Sequence, residues 1–282
     1  MASARIVSLG ILVALCVGVD VLSIVEKPIT VVIPSYNNAQ WYGRNLGSVL
    51  AQQYENYRVV YVDDCSSDGT YGLVKEYLAK HDAAGRVTLK KNERNVGALH
   101  SLYHAVHASD DRTIIIVVDG DDWLAHNGVL AHINKIYWQE EVLMTYGTFM
   151  IYPTGKVDPY GVCRPYPRET PNCFRACSWR ASHLRTFYAG LFKLIKKEDL
   201  MSDGVFLPSS QDLAQMIPML EMSGGRYRCI EDVLYIYNHA NSRNHDKDPV
   251  TLQRQTRLRQ MIEHKPSYAP LSDDVVHGLL GR

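Results

Sequence analysis

The sequence predicts an α/β fold: a Rossmann-like, mostly parallel sheet flanked by helices, behind a short apolar segment at the N-terminus. From Ile29 onwards, short β-branched runs alternate four times with stretches of helical periodicity. Alternation of this kind is typical of a parallel sheet with helices on its faces. The fourth run, residues 113–118, is apolar throughout, as expected of a strand that is covered on both faces.

The remaining elements follow from the same patterns. Strands are predicted at 29–33, 58–62, 86–90 and 113–118, and turn residues end the first two. Asn38 is a suitable cap for the first helix, and the next two helices carry apolar faces around Val74 and Leu102. Later we expect strands at 142–147 and 148–153, a proline-rich loop to about residue 177, helices at 182–195 and 209–222, a strand at 226–238 and a helix at 251–263.

Composition places the chain among ordinary globular proteins. Thirty Lys and Arg balance 30 Asp and Glu over 282 residues. A protein that binds nucleic acids in general carries an excess of positive charge, and this chain has no such excess. We therefore expect no nucleic-acid partner. Six cysteines are too sparse for a disulfide scaffold. Cys163, Cys173 and Cys177 with His183 lack the spacing of a zinc site, which favours free thiols near a loop.

An apolar run at residues 6–25 precedes the first strand. As a helix, about 20 residues span about 30 Å, the thickness of a bilayer's hydrocarbon core. The run is interpreted as a membrane anchor or as a peripheral segment packed on the domain, because Asp20 disfavours insertion. A cleavable signal peptide stays open as an alternative, although no A-x-A-like cleavage site follows the run.

Polar residues gather where the predicted strands end, the edge at which parallel sheets bind ligands. Asp119, Asp121 and Asp122 directly follow the buried fourth strand. Adjacent acids repel one another unless a cation relieves them, and carboxylate oxygens suit Mg²⁺ or Mn²⁺ rather than zinc. Gly120 lets the backbone approach a bound group, and such a metal commonly bridges to phosphates. A solvated acidic turn is the structural alternative.

Four motifs together resemble those of the family 2 glycosyltransferases, which are nucleotide-sugar enzymes of the GT-A fold. They are TVVIPSYN at 30–37, VDDCSSDGT at 62–70, Asn92 with NVG at 95–97, and VDGDDW at 118–123. The resemblance implies a donor-binding half at 29–150 and an acceptor-side half of the same domain at 151–246. Residues 1–28 are then the apolar segment, and 247–282 a C-terminal helix and tail.

The resemblance also implies the residues of a donor site. Those implied in nucleotide-sugar binding are Pro34, Tyr36, Asn37, Asp63, Asp64, Asn92, Arg94, Asn95, Gly97 and Asp119. Asp119 and Asp121 would bind Mn²⁺ or Mg²⁺ on the diphosphate. His239 or His245 would add a third metal ligand.

Asp212 lies in the sequence QDLA at a predicted helix start beyond the donor site. Family 2 enzymes carry a catalytic acid there, so the resemblance implies that Asp212 is the general base, although Gln211 stands where Glu is usual. An Asp in the first turn of a helix also stabilises the helix without any catalytic role, which is the structural alternative.

The function implied by the resemblance is transfer of a sugar from a nucleotide sugar, expected to be UDP-linked, to a hydroxyl of a glycan or lipid-linked acceptor, with inversion. Because nucleotide sugars are cytosolic in bacteria, we expect a membrane-associated enzyme with a cytoplasmic catalytic domain. Two alternatives stay open: an inactive nucleotide-sugar or carbohydrate-binding protein on the same fold, and a sugar nucleotidyltransferase. The latter should carry a Gly-rich basic loop after the first strand, whereas residues 34–38 read PSYNN.

Overall fold

The computed structural model describes residues 24–159, 161–167, 173–242 and 249–281. Its strands are β1 (Ile29–Ser35), β2 (Tyr57–Asp63), β3 (Val87–Lys91), β4 (Ile114–Val117), β5 (Trp123–Leu124), β6 (Met144–Tyr152), β7 (Lys156–Val157), β8 (Arg185–Tyr188), β9 (Met201–Ser202), β10 (Val205–Phe206) and β11 (Tyr227–Asn238). Its helices are α1 (Tyr42–Leu50), α2 (Thr70–His81), α3 (Ala98–His107), α4 (Val129–Gln139), α5 (Ala189–Lys193), α6 (Gln211–Met222), α7 (Pro249–Glu263) and α8 (Asp273–Leu280).

Within the described residues, nine strands form one sheet in the order β3-β2-β1-β4-β8-β6-β11-β5, with β7 beside β6. β1 pairs in parallel with β2 and with β4, and β2 pairs in parallel with β3. All four residues of β4 are buried, as the unbroken apolar run predicts. The predicted α/β fold is confirmed, and the carboxyl ends of four parallel strands lie at one edge of the sheet.

β6 corrects the prediction of two short strands at 142–147 and 148–153. It runs unbroken from Met144 to Tyr152. Gly147, at the expected break, lies inside the strand, where an added Cβ would come within 3.2 Å of the carbonyl oxygen of Ile230 on β11. The glycine therefore marks the close approach of a neighbouring backbone and not the end of a strand.

The predicted helix at 182–195 is wrong in its first half. Residues Arg185–Tyr188 form β8, which pairs antiparallel with both β4 and β6, and only α5 (Ala189–Lys193) is helical. All four residues of β8 are buried. Thr186, Phe187 and Tyr188 are residue types that favour a strand, and the position between β4 and β6 supplies partners on both sides.

The first helix begins later than expected. α1 starts at Tyr42 with Trp41 as its N-cap residue, and no side chain in the described part of the chain caps it. Asn38 instead accepts hydrogen bonds at its carbonyl from the amides of Trp41 and Tyr42, and its side chain donates to Ser35 Oγ at 3.0 Å. Asn38 therefore closes the loop after β1 and does not cap the helix.

Four of the described cysteines are paired, so the expectation of free thiols is wrong for Cys163, Cys173 and Cys177. Disulfides join Cys163 to Cys229 and Cys173 to Cys177, with Cα–Cα distances of 5.8 and 5.6 Å. The first links residues that are 66 positions apart, a proximity that only the folded chain creates. Cys65 is free.

The predicted apolar segment at 6–25 lies outside the described residues except for Ile24 and Val25. Among the helices that the structure does describe, none has the length and hydrophobicity needed to cross a membrane.

Candidate functional site

The sequence predicts that four loops meet at the carboxyl edge of the parallel strands, and in the structure backbone hydrogen bonds join these loops. The bonds run from the amide of Gly120 to the carbonyl of Pro34, from Asp64 to Ser35, and from Asn92 to Asp63, at 3.1, 2.8 and 2.8 Å. Because each loop is fixed to its neighbour, the motifs after β1, β2, β3 and β4 form one continuous surface.

The acidic loop is the segment of residues 119–122 that follows β4, and Asp122 anchors it to β11. Its side chain is buried, Oδ1 accepts a hydrogen bond from the amide of Asn238 at 2.7 Å, and Oδ2 accepts one from the Tyr235 hydroxyl at 2.7 Å. Burial raises the pKa of Asp122 well above its usual value, and the charges of Asp121 and Asp119 raise it further. A cation beside this group would favour its ionised form.

Asp121 is tied to the loop that follows β11. Its Oδ2 accepts a hydrogen bond from Asn241 Nδ2 at 2.7 Å, and its carbonyl accepts one from Asn238 Nδ2 at 3.1 Å. The side chain of Asp119 is 31% exposed, and its amide donates to the Tyr235 hydroxyl at 3.1 Å. Asn238 and Asn241, which hold Asp121, are not among the site residues that the sequence predicts.

Asp119, Asp122 and His183 bring three potential metal-ligand atoms within 4.8 Å of one another. The two carboxylates are oxygen ligands that suit Mn²⁺ or Mg²⁺, whereas the imidazole is a nitrogen ligand that suits a transition metal such as Mn²⁺ better than Mg²⁺. Asp119 is shared with the predicted Asp119–Asp121 pair. His183 stacks on Tyr235 with ring centroids 4.4 Å apart. Burial, and then the neighbouring Arg185 charge, hold the pKa of His183 well below its usual value, so its ring is neutral, the form that binds metals.

The acids after β2 are held inside the donor half. Asp64 is buried and accepts hydrogen bonds from the amides of Val96 and Gly97 and from Asn92 Nδ2, the shortest at 2.8 Å. Asp63 is fully buried; its Oδ2 accepts from the Ser66 amide, and its Oδ1 has no hydrogen-bond partner among the described residues. Both acids therefore shape the loops around the predicted nucleotide site.

The other predicted donor residues divide into buried and exposed groups. Pro34 and Asn37 are buried, and Asn37 Oδ1 accepts a hydrogen bond from the Ser67 amide at 2.9 Å. Tyr36, Arg94 and Asn95 are exposed at the rim of the same surface. The exposed residues therefore lie where a ligand could reach them, and their binding roles stay predictions.

Asp212 lies in the first turn of α6 as predicted, and a buried arginine joins it to the acidic loop. Its Oδ2 lies 3.5 Å from Arg185 Nη1, while Arg185 Nη2 lies 3.7 Å from Asp119 Oδ2. The sequence gives no sign of Arg185 in the site, because residues 182–195 read as a helix, and it groups His183 with three cysteines and not with the acids.

Of the two histidines expected to add a metal ligand, the structure describes His239 but not His245. His239 follows the anchoring Asn238, is exposed, and its amide donates to the Tyr152 carbonyl at 3.0 Å. It does not belong to the potential ligand cluster found among the described residues. His245 lies outside the described residues.

Gly120 is packed too closely to accept a side chain. A Cβ at this position would lie 2.6 Å from both Asn38 Nδ2 and Ser35 Oγ. We expect Gly120→Ala to lower the free energy of unfolding by about 1–3 kcal/mol, as overpacking commonly does, and to weaken donor binding. Urea denaturation and UDP titration measure both effects.

The matched control is Gly72→Ala in α2, where a Cβ meets nothing within 4 Å. Alanine is the better helix former, so this variant should gain up to about 1 kcal/mol and bind UDP normally. Equal stability of the two variants would contradict the close packing at Gly120.

Relatives of this chain were found by sequence comparison. Residues 30–199 match the family described as Glycosyl transferase family 2. The Bacillus subtilis (strain 168) protein EpsE is 28% identical over 188 residues, which is 61% of this chain and 64% of EpsE. The Escherichia coli UDP-Glc:alpha-D-GlcNAc-diphosphoundecaprenol beta-1,3-glucosyltransferase WfgD is 31% identical over 98 residues, 35% of this chain and 37% of WfgD. The matches thus span less than two thirds of either relative.

Solved structures share the fold. S. aureus TarS 1-349 in complex with UDP-GlcNAc has a TM-score of 0.60 at 16% identity, over 90% of this chain and 70% of that chain. The mannosyltransferase PcManGT from Pyrobaculum calidifontis, in complex with GDP-Man and Mn²⁺, has a TM-score of 0.60 at 20% identity, over 91% and 69%. The family match covers more than half of the chain, from β1 through the acidic loop and β8 to residue 199, and on that ground the protein belongs to glycosyl transferase family 2.

Proposed function

We propose that this protein is a metal-dependent glycosyltransferase. It moves a sugar from a UDP-linked donor to a hydroxyl of a glycan or lipid-linked acceptor, with inversion, at the cytoplasmic face of a membrane. The observation that carries the proposal is the placement of Asp119 and Asp212 on the two terminal nitrogens of one guanidinium, at 3.7 and 3.5 Å. Asp119, at the donor-binding edge of the sheet, and Asp212, at the start of α6, thus lie beside the same arginine side chain, as two acids of one active site would.

The reaction needs charge stabilisation on one side of the sugar and proton removal on the other. The acceptor oxygen forms a bond to the anomeric carbon, the bond from that carbon to the phosphate oxygen breaks, and the nucleoside diphosphate leaves with the electron pair. Asp212 accepts the acceptor's proton. When bound, a divalent cation supplies positive charge beside the leaving diphosphate. Asp119, with Asp121 or with Asp122 and His183, would hold it.

The donor and acceptor classes are supported by what the relatives' names and structures state. The name of WfgD gives UDP-Glc as its donor and a diphosphoundecaprenol-linked sugar as its acceptor. TarS was solved with UDP-GlcNAc, and PcManGT with GDP-Man and Mn²⁺. We propose that this chain likewise uses a UDP-sugar donor, a divalent metal and a lipid-linked acceptor. Pro34, Tyr36 and Arg94, with the buried Asp63 and Asp64 behind them, would receive the nucleotide.

The test is turnover of a panel of UDP-sugars and GDP-sugars by the full chain, with Mn²⁺, with Mg²⁺ and with EDTA, measured as release of nucleoside diphosphate. We expect release from a UDP-sugar that requires metal and rises with a lipid-linked acceptor. Donor binding without turnover would instead support the inactive binding protein, and pyrophosphate formation from a sugar phosphate and a nucleoside triphosphate would support the nucleotidyltransferase. Recovery of the full chain away from membranes would contradict the membrane part.

A further inference from the structure

Arg185 occupies a buried position beneath the candidate site. In the sheet it pairs with Val117 of β4, two residues before Asp119, and it is 6% exposed. A buried guanidinium cannot lose its proton and is costly to bury unless anions neutralise it. Among the described residues, the carboxylates paired with it are those of Asp119 and Asp212.

The remaining contacts of Arg185 do not fix its position by themselves. Its Nη2 lies 3.1 and 3.2 Å from the two ring nitrogens of His183, which is not an acid, and its Nε has no hydrogen-bond partner among the described residues. The charge attraction therefore comes from the two site acids. Since attraction is mutual, the guanidinium also draws both carboxylates toward itself.

We propose that Arg185 is a positioning residue that sets the Asp212 carboxylate at a fixed place relative to the donor site. This inference rests on the proposed function. The side chains of Asp119 and Asp212 are 31% and 30% exposed, so each has room to turn toward water. Without the Arg185 guanidinium between them, the two negatively charged carboxylates repel each other and turn apart. A shift of the base by about 1 Å can cost about a hundredfold in rate.

Arginine suits this role better than lysine. Its planar group presents two terminal nitrogens at a fixed spacing, one for each carboxylate, whereas a lysine ammonium is a single point charge. The structure uses this difference, because Nη1 faces Asp212 and Nη2 faces Asp119. A lysine would keep the local charge but could not hold Asp212 at a fixed place relative to Asp119.

The experiment compares Arg185→Ala and Arg185→Lys with wild type, using metal-dependent UDP release from the UDP-sugar that wild type turns over. For Arg185→Ala we expect a turnover number about a hundredfold lower, with the donor KM and UDP affinity within about threefold of wild type. Arg185→Lys should fall between the two. Guanidinium chloride at non-denaturing concentrations should restore part of the Arg185→Ala rate, while NaCl at equal ionic strength should not.

The matched control is Arg226→Ala. Arg226 pairs with Asp273 at 2.9 Å, at the opposite end of β11 from Asn238. This variant loses a partly exposed ion pair outside the site, so its turnover should stay at the wild-type value and should not respond to guanidinium.

A double variant tests whether Arg185 acts through Asp212. If it does, Arg185→Ala added to Asp212→Asn should lower turnover by less than about threefold beyond Asp212→Asn alone, since the base is already absent. Multiplying losses would show that Arg185 acts independently, which overturns the proposal.

Further results would contradict the positioning role of Arg185 or the proposed function itself. Wild-type turnover within about threefold in Arg185→Ala, or loss of UDP binding in Arg185→Lys, contradicts a positioning role. If even Arg185→Lys fails to fold, the residue is structural and the proposal is wrong. If the wild-type protein shows no turnover at all, the proposed function is refuted. If wild type is active and Arg185→Ala is equally active, only the positioning role of Arg185 is refuted.

Discussion

Replacing Asp212 by Asn should slow glycosyl transfer by at least about a hundredfold, because general-base assistance is typically worth 10²- to 10⁴-fold. The amide keeps the shape of the side chain at the start of α6 but cannot accept the acceptor's proton. Loss of a helix-terminal charge alone costs at most about 1 kcal/mol of stability at a surface site. The change also removes one of the two anions beside the buried Arg185, so the variant should melt below the wild-type temperature but stay folded and bind UDP normally, as calorimetry and titration would show.

The matched control is Asp274→Asn. Asp274 also lies in the first turn of a helix, α8, and is exposed, so the change removes the same kind of charge from a helix N-terminus outside the site. Its transfer rate should equal that of wild type. A small effect of Asp212→Asn on transfer, comparable to that of the control, would leave Asp212 with only the helix-stabilising role.

Removing divalent metal with EDTA should abolish transfer, and added Mn²⁺ should restore it. Loss of one stabilising group for a developing oxyanion typically costs 10²- to 10³-fold, so we expect at least about a hundredfold loss with the chelator. Asp119→Asn should have a similar effect in the presence of metal, because Asp119 belongs to both candidate ligand sets. Full activity in EDTA would refute metal dependence.

Two further variants separate the ligand sets. Asp121→Asn should weaken Mn²⁺ affinity in the presence of UDP if Asp119 and Asp121 hold the ion, as the D-x-D sequence predicts. His183→Gln should do so if the cluster of Asp119, Asp122 and His183 holds it. Mn²⁺ binding measured by electron paramagnetic resonance on folded protein distinguishes the two, and unchanged affinity in both variants would contradict either assignment.

The parallel half of the fold could be predicted because its signals are local. Each of the strands β1, β2 and β4 contains a short apolar run; turn residues and a helix follow β1 and β2, and the acidic loop follows β4. The rule that parallel strands bind ligands at their carboxyl ends then placed the acidic loop beside the motifs after β1, β2 and β3. Backbone hydrogen bonds between those loops confirm this placement, although the roles of the individual donor residues stay predictions.

The second half was less predictable because its elements depend on partners far away in the chain. Residues 182–195 carry a pattern compatible with a helix, yet β8 forms because β4 and β6 pair with it on both sides. Likewise, Gly147 reads as a strand end but accommodates β11. Local propensity is weak compared with the pairing and burial that a sheet interior provides.

The sequence by itself determined the fold class, the family resemblance, the acidic loop after β4 and an acid at the start of α6, since each is written in contiguous residues. Only the tertiary structure decided that Arg185 lies between Asp119 and Asp212, and that His183 joins Asp119 and Asp122. The physical reason is the antiparallel insertion of β8 beside β4, which brings residues more than 60 positions apart into contact and leaves no periodic trace in the sequence.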